Sequence, residues 1–368
     1  MRRPVEFWHL PGPRRFVEDV RSRIHAGSLL IVEDPWGAPS TADAIVQRLR
    51  EAAVFDCLGH ETWDGALSRA ISVASTYPEK PLAVLIADAR LRGSILVVSL
   101  RQLGDPQAKE LKAFSVARNM LARQDEPPLS LVVVVGKVAV DSLPAGWEKQ
   151  TTQGIIDPLD SVVFASSELG EDAWLIRRLK TAIAVEVGAW DVELVARLCA
   201  LSLENAVRPD LCTQLWADDY DVPSSQPSWH AQSVCVWGDE EVIHAAWLAK
   251  HQSATLRRRV WAGQLAALLP WIDQFRLQVT ETYTRDLGPI VNGEKYRQSL
   301  EELDWGPIVY GLKGAERAVP ASALKMAESM RIVRNELAHG RPASWASIRA
   351  AFELSRAFKI DHQSHAAR

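Results

Sequence analysis

The residues best equipped for chemistry are Arg334, Asn335 and His339, within the run Arg334-Asn335-Glu336-Leu337-Ala338-His339-Gly340. Arginine brings a forked donor that stays charged. Histidine accepts or gives a proton near neutral pH. Together they suit metal-free cleavage of RNA, in which a ribose 2′-hydroxyl attacks the adjacent phosphate. His339 would carry the proton and Arg334 would steady the phosphorane oxygens. Asn335, one helical turn before His339, is placed to orient the imidazole or a phosphate oxygen. A quieter reading pairs Asn335 with His339 at i, i+4, or makes His339 a helix cap.

The spacing predicts a helix over Ala321 to Ala338 that positions these groups. Met326, Met330, Val333 and Leu337 form one apolar stripe, while Glu328, Arg331, Asn335 and His339 share another face, with Arg334 at the edge of the stripe. Gly340 supplies the stop. Around it, helices are expected at Leu256 to Tyr283, Lys295 to Leu303 and Trp345 to Phe358, punctuated by Gly288-Pro289, Gly306-Pro307 and Gly340-Arg341-Pro342.

The Arg334…His339 pattern in this four-helix setting resembles the Rx4-6H signature of the HEPN superfamily, over about residues 251 to 358. The resemblance implies a small helical bundle and a metal-independent ribonuclease with Arg334, Asn335 and His339 as its catalytic set. It also implies a homodimer whose two motifs face one cleft. Arg257, Arg258 and Arg259 at the start of the long helix, with Arg331 and Arg341, are the candidate RNA-phosphate contacts. The bland reading of the arginine triplet is a solvated helix start.

Charge agrees with an anionic partner at this end. From residue 251 onward there are 17 Lys and Arg against 12 Asp and Glu, whereas the whole chain carries −4. The chain has 368 residues, 47% hydrophobic and 24% charged, which excludes an intrinsically disordered class. It shows no apolar run long enough to span a membrane and no secretory leader, so a cytoplasmic location is expected. Cys57, Cys199, Cys212 and Cys235 are scattered without a CxxC pair, and neither a metal nor another cofactor is expected. No helix-turn-helix pattern supports a DNA-binding regulator.

The first part of the chain reads as α/β. Apolar runs at Ser28 to Glu33, Leu82 to Asp88, Leu131 to Val135 and Ser161 to Ala165 are expected as buried parallel strands, with helices at Phe16 to His25 and after Ser40 or Thr41. The order resembles the AAA+/STAND branch of P-loop ATPases over roughly residues 7 to 216, with the strand ending in Asp88 in the Walker B place. The phosphate loop departs from that pattern. Asp34-Pro35-Trp36-Gly37-Ala38-Pro39-Ser40-Thr41 keeps one glycine, lacks the lysine, and carries two prolines and an acid. ATP hydrolysis is therefore not expected.

The expected architecture is a degenerate P-loop-like α/β domain at 1–170 and a helical lid at 171–216. A linker with a connecting helix at 217–250 and a HEPN-like bundle at 251–368 complete it. The implied role is an effector of prokaryotic antiviral defence that cuts RNA, with protein partners. The alternative is a non-enzymatic docking subunit of a defence or DNA-processing complex, which the 14 tryptophans favour as binding anchors.

Overall fold

The computed structural model describes residues 7–35, 40–51, 56–121, 127–169, 173–212, 215–216, 220, 226–291, 299–315 and 319–366. Contacts divide the chain into two compact units. One is Met1–Asp160 with Val222–Ile243, and the other is Ser161–Asp221 with His244–Arg368. The helices expected as a separate lid at 171–216 thus share a unit with the C-terminal helices.

The first unit is an α/β layer structure. It runs α1 (Pro11–His25), β1 (Leu29–Glu33), α2 (Thr41–Glu51), β2 (Asp56–Thr62), α3 (Leu67–Ser75), α4 (Leu82–Ala87), β3 (Ser94–Leu100), α5 (Asp105–Leu121), β4 (Ser130–Val135) and β5 (Trp147–Thr151). The five strands are all parallel, in the order β2-β3-β4-β1-β5. β1 and β4 are buried along their whole length, as continuous apolar strands covered on both faces must be. On one face Leu29, Ile31, Leu96, Val98, Leu131 and Val133 pack with Leu67, Ile71, Leu85, Leu111 and Phe114. α1 and α2 contact the strands as well.

Two expected strands are helices. Leu82–Ala87 is helical because its Leu and Ala residues tolerate helix and only Leu85 and Ile86 are buried. A short apolar run does not by itself distinguish the two states. The strand in that place is Ser94–Leu100, after Gly93 at φ 70°. Asp88 therefore ends no strand. It accepts from the Arg90 N–H at 3.1 Å and pairs with the Arg90 guanidinium at 2.6 Å, which holds its carboxyl far below the usual range. Ser161 to Ala165 lies inside α6 (Pro158–Glu168). Asp157 and Asp160 cap that helix reciprocally, each carboxylate taking the other's N–H, at 2.9 and 3.0 Å. This local capping overrides the strand preference of Val162 and Val163, which are 40% and 44% exposed.

The carboxyl end of β1, between β4 and β5, is where open sheets of this kind receive ligands. Here protein side chains fill it. Glu33 accepts from the Val138 N–H at 2.8 Å and pairs with Lys149 at 2.6 Å and His230 at 3.1 Å. Asp34 accepts from the Thr41 and Thr152 hydroxyls, both at 2.7 Å. Burial alone would raise the Glu33 carboxyl, but Lys149, Val138 and His230 outweigh it and hold it below the usual range. His230 belongs to the segment leading into β6 (Val234–Trp237), which pairs antiparallel with β7 (Glu240–Ile243) through a tight turn at Gly238-Asp239, both at positive φ. Residues 36–39 of the loop compared above with a phosphate loop lie outside the described residues.

The second unit is helical: most of α6, then α7 (Trp174–Gly188), α8 (Val192–Ala200), α9 (Leu203–Val207), α10 (Ala245–His251), α11 (Ser253–Thr282), α12 (Thr284–Val291), α13 (Trp305–Gly314), α14 (Ala321–Ala338) and α15 (Trp345–Ala366). Most of the expected helix from Lys295 lies outside the described residues, and its end, Leu300–Glu302, is a single 3-10 turn. The helices at Leu256, Ala321 and Trp345 form as expected. α7 and α11 pack closely at Gly263, where an added Cβ would lie 2.7 Å from Ile183 Cα and 2.9 Å from the Ala182 carbonyl oxygen. Asp191 caps α8, and its second oxygen takes the His244 Nε2–H at 2.9 Å and the Tyr220 hydroxyl at 3.1 Å. His244 Nδ1 accepts the Ala246 N–H, so the neutral ring carries its proton on Nε2.

Two outcomes follow. Gly263→Ala forces backbone apart and should cost about 1–3 kcal/mol, read as a lower urea midpoint; an unchanged midpoint would refute the close contact. The depressed Glu33 carboxyl contributes stability that is complete above its unfolded value, about 4.3, and fades as pH falls below it. The stability gap between wild type and Glu33→Gln should therefore narrow below about pH 4. A gap constant with pH would count against the ion pair.

Candidate functional site

α14 delivers the motif. Ala323, Met326, Ala327, Met330, Val333 and Leu337 are its buried residues, and their spacing of three and four makes a single inward stripe. The helix ends in a Schellman cap: Gly340, at φ 69°, sends its N–H to the Leu337 carbonyl, and Arg341 sends its own to that of Glu336, both at 3.1 Å. His339 is the C-cap residue, with its backbone N–H on Asn335 O.

Two side chains of α11, one turn apart, fix this end. Trp261 Nε1 donates to Leu337 O at 2.7 Å. Gln264, fully buried, donates to Val207 O at 2.8 Å and Ala343 O at 3.2 Å, and accepts the Ala343 N–H at 2.6 Å. The amide thus stands in for the strand or helix that this loop lacks.

The motif residues are reachable from solvent. Asn335 and His339 are exposed, and the Arg334 side chain keeps 36% of its area. Arg334 Nη2 pairs with Asp304 Oδ2 at 2.5 Å, and Nη1 donates to Asn335 Oδ1 at 3.4 Å. Asp304 is itself the N-cap of α13, accepting from the Trp305 N–H. Asn335 therefore orients the guanidinium. Among the described residues the His339 imidazole makes no hydrogen bond, so the quieter pairing of Asn335 with His339 is not formed. Ile332, 49% exposed, lies on the face shared by Glu328, Asn335 and His339.

The arginine triplet does not act as a unit. Arg258 is exposed. Arg257 approaches Asp210 at 3.9 Å, but Arg208 already holds that carboxylate through two bonds of 2.9 Å. Arg259 turns inward toward Glu186, and burial lowers its guanidinium to about 10 despite that carboxylate. Arg259 cannot serve as a surface phosphate contact without leaving this environment. Arg341 is exposed and Arg331 half-buried. Among the described residues no group of three or more His, Cys, Asp or Glu could hold a metal, and no helix is long and apolar enough to cross a membrane. Asp304, Trp261 and Gln264 were not visible as site residues in the sequence, because each acts through a partner far along the chain.

Compared with protein-family models, curated proteins and solved structures, the chain matches none.

Gln264→Leu keeps the volume but strands buried backbone polar groups at Val207 and Ala343. It should destabilise the protein by about 2–4 kcal/mol, measured by chemical denaturation. A change under about 0.5 kcal/mol would show that water replaces the amide.

Proposed function

We propose that the helical unit is a HEPN-like, metal-independent endoribonuclease acting through Arg334, Asn335 and His339. One observation carries this reading: a half-exposed guanidinium and an exposed imidazole stand at the open end of one rigidly capped helix. RNA would displace Asp304 from Arg334, and the forked guanidinium would then hold the phosphate being attacked. The ribose 2′-oxygen bonds to phosphorus as the 5′-oxygen leaves. Protonated His339 gives that oxygen its proton, and the products are a 2′,3′-cyclic phosphate and a 5′-hydroxyl. The 2′-hydroxyl proton passes to water or to the histidine of a second copy, in keeping with a homodimer through this bundle. Arg258, Arg331 and Arg341 are the better-placed phosphate contacts.

In this reading the first unit is a degenerate P-loop-like module that does not hydrolyse ATP. Glu33 and Asp34 stand at the carboxyl end of β1, where a phosphate would meet like charge. Its role would be that of scaffold or sensor in a cytoplasmic, prokaryotic antiviral defence system. A second reading has its own support. The Arg334–Asp304 pair already neutralises the guanidinium, and Tyr310 and Ile332 are exposed apolar groups on α13 and α14. They would suit a docking subunit of a defence complex.

The purified protein should cut single-stranded RNA in the presence of a chelator and leave cyclic phosphate ends. Arg334→Ala and His339→Ala should each slow cleavage by about 100-fold or more, with thermal stability kept. Equal background rates in all three proteins would remove the nuclease and leave the docking role.

A further inference from the structure

Away from the motif, the helical unit holds a cavity of about 450 Å³ lined from α7, α11 and α15. Its wall is aromatic, built from Trp174, Trp271, Phe275 and Phe352, with Gln274 and Arg356 as polar groups. Trp174 is 62% exposed. Its exposed indole continues the aromatic wall of the cavity out to solvent. The volume falls in the range of small-ligand sites, in which aromatic walls and a few charges are the usual lining.

The charged residue of its lining is Arg356, and a second arginine, Arg178, stands beside the cavity at Trp174. Arg178 lies with its guanidinium 5.3 Å from the Trp174 ring centre, tied by one N–H to the Ala266 carbonyl at 3.3 Å. Arg356 lies 6.0 Å from the Phe352 ring. Neither has an acidic partner among the described residues. The nearest carboxylates along α11 and α15 are already engaged, Asp273 by Arg276 at 2.7 Å and Glu353 by Arg349 at 2.8 Å. Guanidiniums beside aromatic faces, with a free amide, fit a planar heterocycle attached to an anion.

We infer that this cavity is a nucleotide subsite, which takes a base against its aromatic wall and the attached phosphate on Arg178 and Arg356. The choice of ligand class rests on the RNA reading of this unit. The nucleotide is either free or part of a single strand, and both present the same base and phosphate. Gln274 would meet the base edge. The subsite is assigned to binding, with no bond made or broken there.

The test uses the full chain and a fluorescein-labelled single-stranded RNA dodecamer with 2′-O-methyl riboses, which cannot be cut by 2′-hydroxyl attack. Binding is followed by anisotropy at low ionic strength. Trp174→Ala should weaken binding on the order of tenfold, Trp174→Phe should restore most of it, and Arg356→Ala should flatten the salt dependence. Met120→Ala, a change at an exposed side chain of the α/β unit, should bind as wild type does. Because the probe cannot be cut, the subsite is read apart from the nuclease: loss of cleavage activity in every assay would leave these affinities in place. Competition by AMP assigns the subsite to a free nucleotide, and its failure to compete assigns it to a strand. An undiminished affinity in Trp174→Ala overturns the proposal. So does a wild-type protein that ignores the oligonucleotide but loses self-association when Trp174 is replaced, since the cavity would then be a protein contact.

Discussion

The buried amide of Gln264 is the constraint on which the motif's geometry depends. Its three bonds reach Val207 in one direction and Ala343 in the other. Between them they fix the end of α9 and the loop leaving α14. With Trp261 on Leu337 O, α11 becomes the ruler against which the Schellman turn is set. A site on a loop is only as precise as the groups that satisfy the loop's backbone. Here those groups come from the middle of a 30-residue helix whose inner face is buried. The rigidity that His339 and Arg334 need is thus borrowed from core packing rather than from the motif's own residues.

That division explains what could be read from the chain alone. The α14 helix, its inward stripe and the Gly340 stop were legible because they rest on local periodicity and on a glycine's freedom at positive φ. The buried strands β1 and β4 were legible as uninterrupted apolar runs. The runs at Leu82 and Ser161 failed because a short apolar stretch carries no period, and the decisive signals lay beside it. Asp157-Pro158 with Asp160 spells a helix start, and Gly93 marks where the next strand begins. The edge strands β2 and β5 read as polar sequence because each is covered on little more than one side. The partners of the site, Asp304 and Gln264, were invisible because only the fold brings them near.

The first unit makes a different use of the same physics. An open parallel sheet leaves backbone donors and a cleft at the carboxyl ends of its strands, and ligand phosphates commonly satisfy them. In this chain Glu33 takes the Val138 N–H, while Lys149 supplies positive charge and the His230 ring a further hydrogen-bond partner. A buried carboxylate so placed satisfies the cleft from within. It also presents like charge to any phosphate that approaches.

The Arg334–Asp304 pair decides how the motif can work. Both side chains remain more than a third exposed, so their attraction is screened and a pair of this kind is worth roughly 0–1 kcal/mol. A phosphate offers the same fork two oxygens, and adjacent phosphates on a strand gain from counterion release as well. On the proposed RNA reading, the exchange of Asp304 for a strand would be favourable once that strand is held elsewhere on the unit, and unfavourable for a lone anion that brings little else. Asp304 would then act as a placeholder. In that role it would keep the guanidinium ordered and its charge compensated while no strand is present, and would yield only to a ligand with several points of attachment. Asn335 accepts from the other Nη, so part of the fork's orientation does not depend on Asp304.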